Sequence, residues 1–412
     1  MLRIEDAFDV GGVPRRDAMS DGPLTVSVLR DGAAIEREWR AMAARGDASV
    51  YQQFGWTAAW AETMAREQAI EPVILAIRTA GRLAMILPLG VERIGPLRIA
   101  RYPGGEHANI RMPLTDPDCR AALEDPVALA KALQDALRAA PIAVDLIDLD
   151  ALPLQWNGAD VPLAYHPEAK PARLPLGRLE LAADLATTLG PERRGRKAKK
   201  HRSQVNALAP VGGYRFRRAE SEAEALALFA QFRAEKAAWF ARMGIDDSFA
   251  EPGVPAFFHA LIARRWQQGE ALLDLYAIEF DGSIRAIFGG GEAGGRLSGY
   301  FLSVSDDAWR RITPGELLLH DLTAHACAAG LTAFDLGRGD DRYKWSWLQT
   351  AEPQVRLILP VTLRGRAGLA LIRMADRLEQ RIRSNERLFR FAKALRRRIR
   401  GQESPPSDQT GD

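Results

Sequence analysis

The sequence predicts an α/β protein of two tandem α+β domains, each with a mixed sheet, followed by a basic C-terminal helix. Three observations lead there. The order strand, helix, helix, three-stranded meander, helix, strand occurs twice along the chain. A proline-rich stretch separates the two copies. The 412 residues are 47% apolar, more than one hydrophobic core holds, since single cores stop growing near roughly 250–300 residues.

The first copy starts at Pro23, after a polar, charged and glycine-containing leader over 1–22. LTVSVL (24–29) predicts a strand and AAIEREWRAMAAR (33–45) a helix. FGWTAAWAETMAR (54–66) is a second helix, with Trp56 and Trp60 stacked at i, i+4. Three strands follow, PVILAIRT, RLAMILPLGVE and LRIARY, divided by Ala80-Gly81 and Gly95-Pro96 turns. PVALAKALQDALRA (126–139) is helical and leads into strand IAVDLIDL (142–149).

The second copy begins with strand YRFRRA (214–219) and helix 221–242, then a shorter helix over about 255–268. Strands 272–280, 283–291 and 296–304 form the meander, followed by helix 315–329 and strand 331–336. The halves share a pattern and negligible identity, and duplication explains this most simply. The linker 151–190 carries Pro153, Pro162, Pro167, Pro171 and Pro175, which exclude a long helix there. The domains are thus expected over 23–178 and 179–363, with a basic helix and disordered tail over 364–412.

Charge is uneven. Residues 364–400 hold thirteen Lys/Arg against three acids, a net of +10, whereas positions 1–363 carry a net of −4. Two accounts of the basic helix follow: an intramolecular brace on the acidic body, or peripheral contact with anionic membrane. Cys119 and Cys327 stand far apart and predict neither a disulfide framework nor a cysteine zinc site. The N-terminus has no apolar signal region and no run of 18 apolar residues occurs, which points to the cytoplasm, with the inner membrane face as the place of any contact.

Gly289-x-Gly291-x-x-Gly294 matches a dinucleotide fingerprint in letters, but a strand follows where that motif needs a helix, so it predicts a hairpin. Arg310-Arg311-Ile312-Thr313-Pro314-Gly315 is the better anion cradle. Thr313 is expected to cap a helix with Pro314 in its first turn and Glu316 close behind, while Gly315 leaves room for a phosphate. His320 and His325 lie about 140° apart on a helix and make no metal pair, and no metal site is expected. There is no Walker A loop, G-x-S-x-G or H-E-x-x-H. The basic run 193–202, seven Lys/Arg with His201, is either a solvated helix face or a polyanion contact.

The Phe54/Trp56/Trp60 helix, the run ERRGRKAKKHR (192–202), Thr313-Pro314-Gly315, and Phe334-Asp335-Leu336-Gly337 through Tyr343-Lys344 together resemble GNAT acyltransferases. More narrowly they resemble the CelD-like, cellulose-biosynthesis branch, related to the Fem-type aminoacyl transferases. The loop at 310–315 departs from the glycine-rich R/Q-x-x-G-x-G/A run usual in GNAT proteins. The resemblance implies two GNAT-like domains, with acetyl-CoA or another acyl-CoA as co-substrate of the second. Leu302, Ser303 and Val304 would pair with its pantetheine arm, and Arg310, Arg311, Thr313, Gly315, Glu316 and Leu317 would hold its phosphates. It further implies Tyr343 as general acid and Lys344 as holder of an anionic acceptor or developing charge. Of the nearby carboxylates Asp335, Asp340 and Asp341, Asp341 is chosen as base. The function implied is N- or O-acyl transfer to a small-molecule or glycan-precursor acceptor in exopolysaccharide or cell-envelope synthesis. Two alternatives stand beside it, an aminoacyl-tRNA-dependent Fem-type transferase and a non-catalytic partner of a polysaccharide synthesis machine.

Overall fold

A computed structural model describes residues 23–45 and 48–384. The expected leader, the helix beyond Ser384 and the expected tail lie outside them. In the first half β1 (Thr25–Leu29) precedes α1 (Glu36–Ala43) and α2 (Phe54–Trp60), which ends in a single wide turn. The meander β2 (Glu71–Thr79), β3 (Arg82–Ile94) and β4 (Leu97–Arg101) follows, then β5 (Leu114–Thr115), α3 (Pro126–Ala139) and β6 (Leu146–Pro153). α3 starts where the sequence places it because Asp125 accepts the N–H groups of Val127 and Ala128, each at 2.9 Å, ahead of Pro126 in the first turn. The middle segment holds β7 (Gln155–Trp156), β8 (Ala159–Asp160), β9 (Lys170–Pro171) and β10 (Leu176–Glu180).

Helix α4 (Leu185–Leu208) then begins within the expected linker; it kinks at Gly190, in a left-handed conformation immediately before Pro191. The second half runs β11 (Arg215–Arg218), α5 (Glu222–Met243), α6 (Val254–Gln268), β12 (Asp274–Phe280), β13 (Ser283–Ala293), β14 (Arg296–Val304), α7 (Pro314–Ala328) and β15 (Ala333–Arg338). Short α8 (Arg342–Trp345), β16 (Thr350–Glu352), β17 (Gln354–Pro360) and α9 (Leu363–Ser384) complete it. The strand expected over 331–336 is β15, which runs on to Arg338, and α8 follows after Gly339. Gly289 and Gly291 lie inside β13, not in the turn; a Cβ on Gly289 would stand 2.2 Å from the Phe301 ring.

Each half builds one mixed sheet. The first runs β1-β2-β3-β4-β6-β17-β9 with β5 beside β3, and the second β11-β12-β13-β14-β15-β10-β16. Within each, one parallel pair follows the meander, β4 with β6 and β14 with β15. The next strand comes from the other half: β17 pairs antiparallel with β6, and β10 antiparallel with β15. The halves thus exchange one strand each. A continuous apolar core extends from α2 and the first sheet through α5, α6, β12 and β14.

Two features fasten the first exchange. Arg356 on β17 donates twice to the buried Asp148 carboxylate on β6, at 2.7 and 2.8 Å, and Arg101 on β4 reaches it at 3.1 Å. Helix α9 lies across β4, β6 and β17 with Leu369 and Ile372 packed on Leu97, Ile99, Leu146 and Ile358. Its close approach needs glycine: a Cβ on Gly365 would stand 1.9 Å from the Asp145 carbonyl oxygen. Arg373 pairs with Glu168, and Arg173 with Asp376 at 2.8 Å.

Burial alone would raise the Asp148 carboxyl, but the hydrogen bonds and charges of Arg356 and Arg101 hold it below its ordinary value. Its stabilisation is therefore complete above the unfolded pKa of about 4 and is lost as pH falls through the lower folded value. Urea unfolding over a pH series should show this acid loss, and Arg356→Met should make the acid limb shallower. At neutral pH the variant should be less stable by about 1–3 kcal/mol, since the buried carboxylate loses two charged hydrogen bonds and keeps only Arg101. An unaltered acid limb would show that the clamp does not couple to folding.

Candidate active site

The site follows from a failure of pairing. β14 and β15 are hydrogen-bonded only from Arg296–Ala333 to Ser298–Asp335, although both strands continue. Just beyond, Tyr300 is an extra residue in β14, because Gly289 pairs with Phe301 while Gly290 pairs with Gly299. The bulge bends β14 away and leaves the edge of Leu302, Ser303 and Val304 that faces away from β13 without a β15 partner.

The first half enters the fork. Asn109 donates to the Gly299 carbonyl at 3.1 Å and to the Tyr51 hydroxyl at 2.9 Å, and accepts the Arg338 N–H at 3.0 Å. One buried amide thereby satisfies both separated strands. Gly337 is required there, since a Cβ would come within 2.9 Å of that amide. Below the fork Arg296, almost wholly buried, holds Asp335 at 2.8 Å and makes two bonds to Glu352, at 2.9 and 2.7 Å. Asp335 also accepts from Ser298 at 2.8 Å and from the Gly337 N–H at 3.0 Å. This carboxylate is thus engaged in structure.

The mouth of the fork is lined by α8 and α5. Tyr343 is 40% exposed, and desolvation, then the Asp341 charge, push its hydroxyl well above the ordinary phenol range. Lys344 is nearly buried and donates to the Arg338 carbonyl at 2.6 Å, with Asp341 at 3.6 Å. Desolvation holds its ammonium below the usual value against the opposing Asp341 charge. Its first task is to tie α8 to the end of β15. Asp340 accepts from the Trp345 indole at 3.0 Å. From α5, Glu235 takes the Ser303 hydroxyl at 2.5 Å and the Ser305 hydroxyl at 3.2 Å. Its neighbour Lys236 is lowered by burial while the charges of Asp341 and Asp247 raise it.

The anion cradle lies alongside. A Cβ on Gly315 would meet Val304 at 2.9 Å and Leu302 at 3.7 Å, so this glycine makes room for β14 rather than for a phosphate. Thr313 is not a side-chain cap: it is left-handed (φ 55°) and its hydroxyl turns back to the Ile312 carbonyl at 2.7 Å. Gln204 of α4 supports that strained residue, donating to Ile312 O at 2.7 Å and to Thr313 O at 3.1 Å. Glu316 is bound by Lys197 at 3.0 Å and Ser346 at 3.3 Å. Burial would raise its carboxyl, but the Lys197 hydrogen bond and charge bring it below its ordinary value. Leu317 is wholly buried in the second core. Arg310 is paired to Asp306 at 2.6 Å, whereas Arg311 is exposed and makes no ion pair among the described residues.

Of the residues singled out in sequence, Gly315 lies against Val304 and Leu302 of the free edge, and Glu316 bonds to Ser346 at the end of α8. Lys344 pairs with Asp341 at the start of that helix, while Arg310, Thr313 and Leu317 are engaged in structure. Asn109, Glu235, Lys236 and Gln204 join the site from stretches not singled out in sequence, and Lys197 from the basic run 193–202. On the same face of α4, one turn after Lys197, His201 stacks on His320 of α7 with ring centroids 3.7 Å apart and planes 8° apart. Their ring nitrogens bond to Tyr214 and Asp321, at 3.0 and 2.8 Å. Parallel rings aim their in-plane lone pairs side by side rather than at one point, so this cluster is a hydrogen-bonded seam between α4 and α7.

Residues 195–345 match the family model described as an acetyltransferase (GNAT) domain. Among solved structures, FemX is similar at 11% identity over 81% of this chain and 97% of its own, with a TM-score of 0.53. The C-terminal domain (DUF2156) of a protein assigned as a lysylphosphatidylglycerol synthetase from Agrobacterium fabrum is similar at 12% identity, over 82% of this chain and 95% of that one, with a TM-score of 0.50. At these identities the likeness is one of fold. No curated protein matches the chain in sequence. The chain has a GNAT acyltransferase fold.

Asn109→Ala would leave the Gly299 carbonyl and the Arg338 N–H unpaired in a buried fork. A loss of about 1–3 kcal/mol in chemical denaturation is expected. A variant as stable as the parent would show that Asn109 does not join the halves.

Proposed function

We propose that the chain transfers an acyl group from an acyl-CoA to an amine or hydroxyl, on a glycan precursor or related cell-envelope acceptor. One observation carries this reading: beyond Ser298–Asp335 the edge of Leu302–Val304 is left without a strand partner, and it runs against Gly315 in the first turn of α7. The residues fit such a donor at both ends. The free strand edge offers backbone groups to an amide-bearing arm, and Arg311 and Lys200 offer cations near the first turn of α7. Bound there, acyl-CoA would supply the thioester.

The chain's own groups then have distinct tasks. Tyr343 keeps its proton at neutral pH, and we assign it to hydrogen-bond the departing thiolate and to protonate it as charge develops there. Asp341, beside Lys344 and Lys236, is the carboxylate we assign as proton acceptor; Glu235, already receiving two serine hydroxyls, positions the end of β14. The acceptor class rests on the CelD-like resemblance.

A second reading, aminoacyl-tRNA as donor, is favoured by one feature. Arg194, Arg196, Lys199 and Arg202 are exposed on α4 and form no ion pair among the described residues. Calorimetric titration with acetyl-CoA and, separately, aminoacyl-tRNA distinguishes the two, and binding of neither would favour a non-catalytic partner. Under the first reading, Arg311→Glu should weaken CoA binding at least tenfold, about 1.4 kcal/mol, without changing the melting temperature.

Tyr343→Phe keeps the ring and removes only the hydroxyl. Turnover should fall on the order of 100-fold while CoA affinity holds. Equal turnover would reduce Tyr343 to a packing residue.

A further inference from the structure

Helix α9 is apolar on two opposite faces. Leu369 and Ile372, with Gly365 and Gly368, turn inward onto the first sheet. At 3.6 residues per turn, Leu363, Ala367, Ala370, Leu371 and Met374 share the opposite face. Leu363 is 78% exposed, and Leu371 and Met374 are 62% exposed each. A helix that already has its packing face gains nothing in water from a second apolar stripe, so the stripe calls for an occupant. Arginines border it: Arg364 on one side, Arg366 and Arg377 on the other, all exposed and without an ion pair among the described residues.

The surface continues onto the β3–β4 turn, where Ile94 is 42% exposed. Between that turn and the start of α9 lies a cavity of about 220 Å³ lined by Arg93, Pro96, Arg98, Ala143, Asp145 and Arg364. Asp145 is the acid there, and its carboxylate already accepts the Arg98 N–H at 3.0 Å and the Thr362 hydroxyl at 2.6 Å. Three arginines therefore line a space of headgroup size at the edge of an apolar stripe, Arg93 also donating to the Gly95 carbonyl at 3.2 Å.

We propose that the outer face of α9 and the β3–β4 turn form a docking surface for an anionic phospholipid bilayer, with Arg93, Arg98 and Arg364 receiving lipid phosphate. Charge complementarity selects this occupant. A second copy docked stripe to stripe would press arginine against arginine. The chain's own segment 385–400, with seven Lys/Arg and one acid, has the same sign as the surface. An anionic interface alone offers negative charge and an apolar layer at adjacent depths. No helix among the described residues is long and apolar enough to cross a membrane, so the contact is one of lying on it. The inner face braces the fold and the outer face meets lipid, on one helix.

The test uses the full chain, sedimented with phosphatidylcholine vesicles with and without phosphatidylglycerol. Binding is expected only with phosphatidylglycerol and should fall as salt rises from about 0.05 to 0.5 M. Leu371→Ser/Met374→Ser should cut partitioning by about tenfold or more, because both side chains leave the apolar layer. Arg364→Glu should cut it further, and neither change should alter the melting temperature. Unchanged partitioning of both variants would overturn the proposal, as would equal binding to neutral vesicles. So would a parent chain that is dimeric in light scattering and made monomeric by the Leu371/Met374 change, which would assign the stripe to a second copy.

Discussion

A strand beside β6 and a strand beside β15 are obligations that neither half meets with its own chain. Backbone donors and acceptors at a sheet edge need partners once helices cover the faces, and here each half supplies the other's. Each exchanged strand also positions an ion pair within the sheet it joins. β17 brings Arg356 to Asp148, and β16, paired with β10, brings Glu352 to Arg296. Buried ion pairs cost desolvation and are tolerated where geometry is fixed on both sides. The exchanged strands provide that fixity.

The candidate site is a by-product of the same arrangement. A parallel pair that stops after Ser298 and Asp335 leaves a fork that water or another molecule has to fill. At its root the first half fills it with Asn109, so the two halves act as one body around the opening. Farther out the fork is lined by Ser303, Glu235 and α8. The first half thus contributes to a site whose chemistry-bearing groups belong to the second.

Much of this order was legible in the sequence. Regular apolar periodicity located both meanders, and the helix read over 126–139 matches α3 to the residue. Strands β10 and β17 were not legible, because LGRLE and QVRLILP are short and lie beside Pro175 and Pro353, and their partners are about 150–200 residues away. The free edge at Leu302 to Val304 was placed by resemblance to a family, not by pattern. The cradle at Arg310 to Glu316 was found, but two of its parts work differently. Thr313 is strained and held by Gln204, and Gly315 answers to Val304. Local capping rules cannot see a helix that arrives from more than 100 positions earlier. Glu235 and Lys236 were hidden for a related reason: on a charged helix, only tertiary contact separates a site residue from a solvated one.

The exchange of strands also bears on the order in which the protein is made. When β6 leaves the ribosome its open edge has no neighbour, since β17 follows roughly 200 residues later, on the order of 10–40 s at ordinary rates of synthesis. Over that interval the first half presents LIDLDALP, a nearly continuous apolar strand, as a template for any extended chain. Its native completion waits for almost the last strand of the polypeptide. Two self-contained domains in tandem would close that edge within the first domain and would not leave it open for this interval.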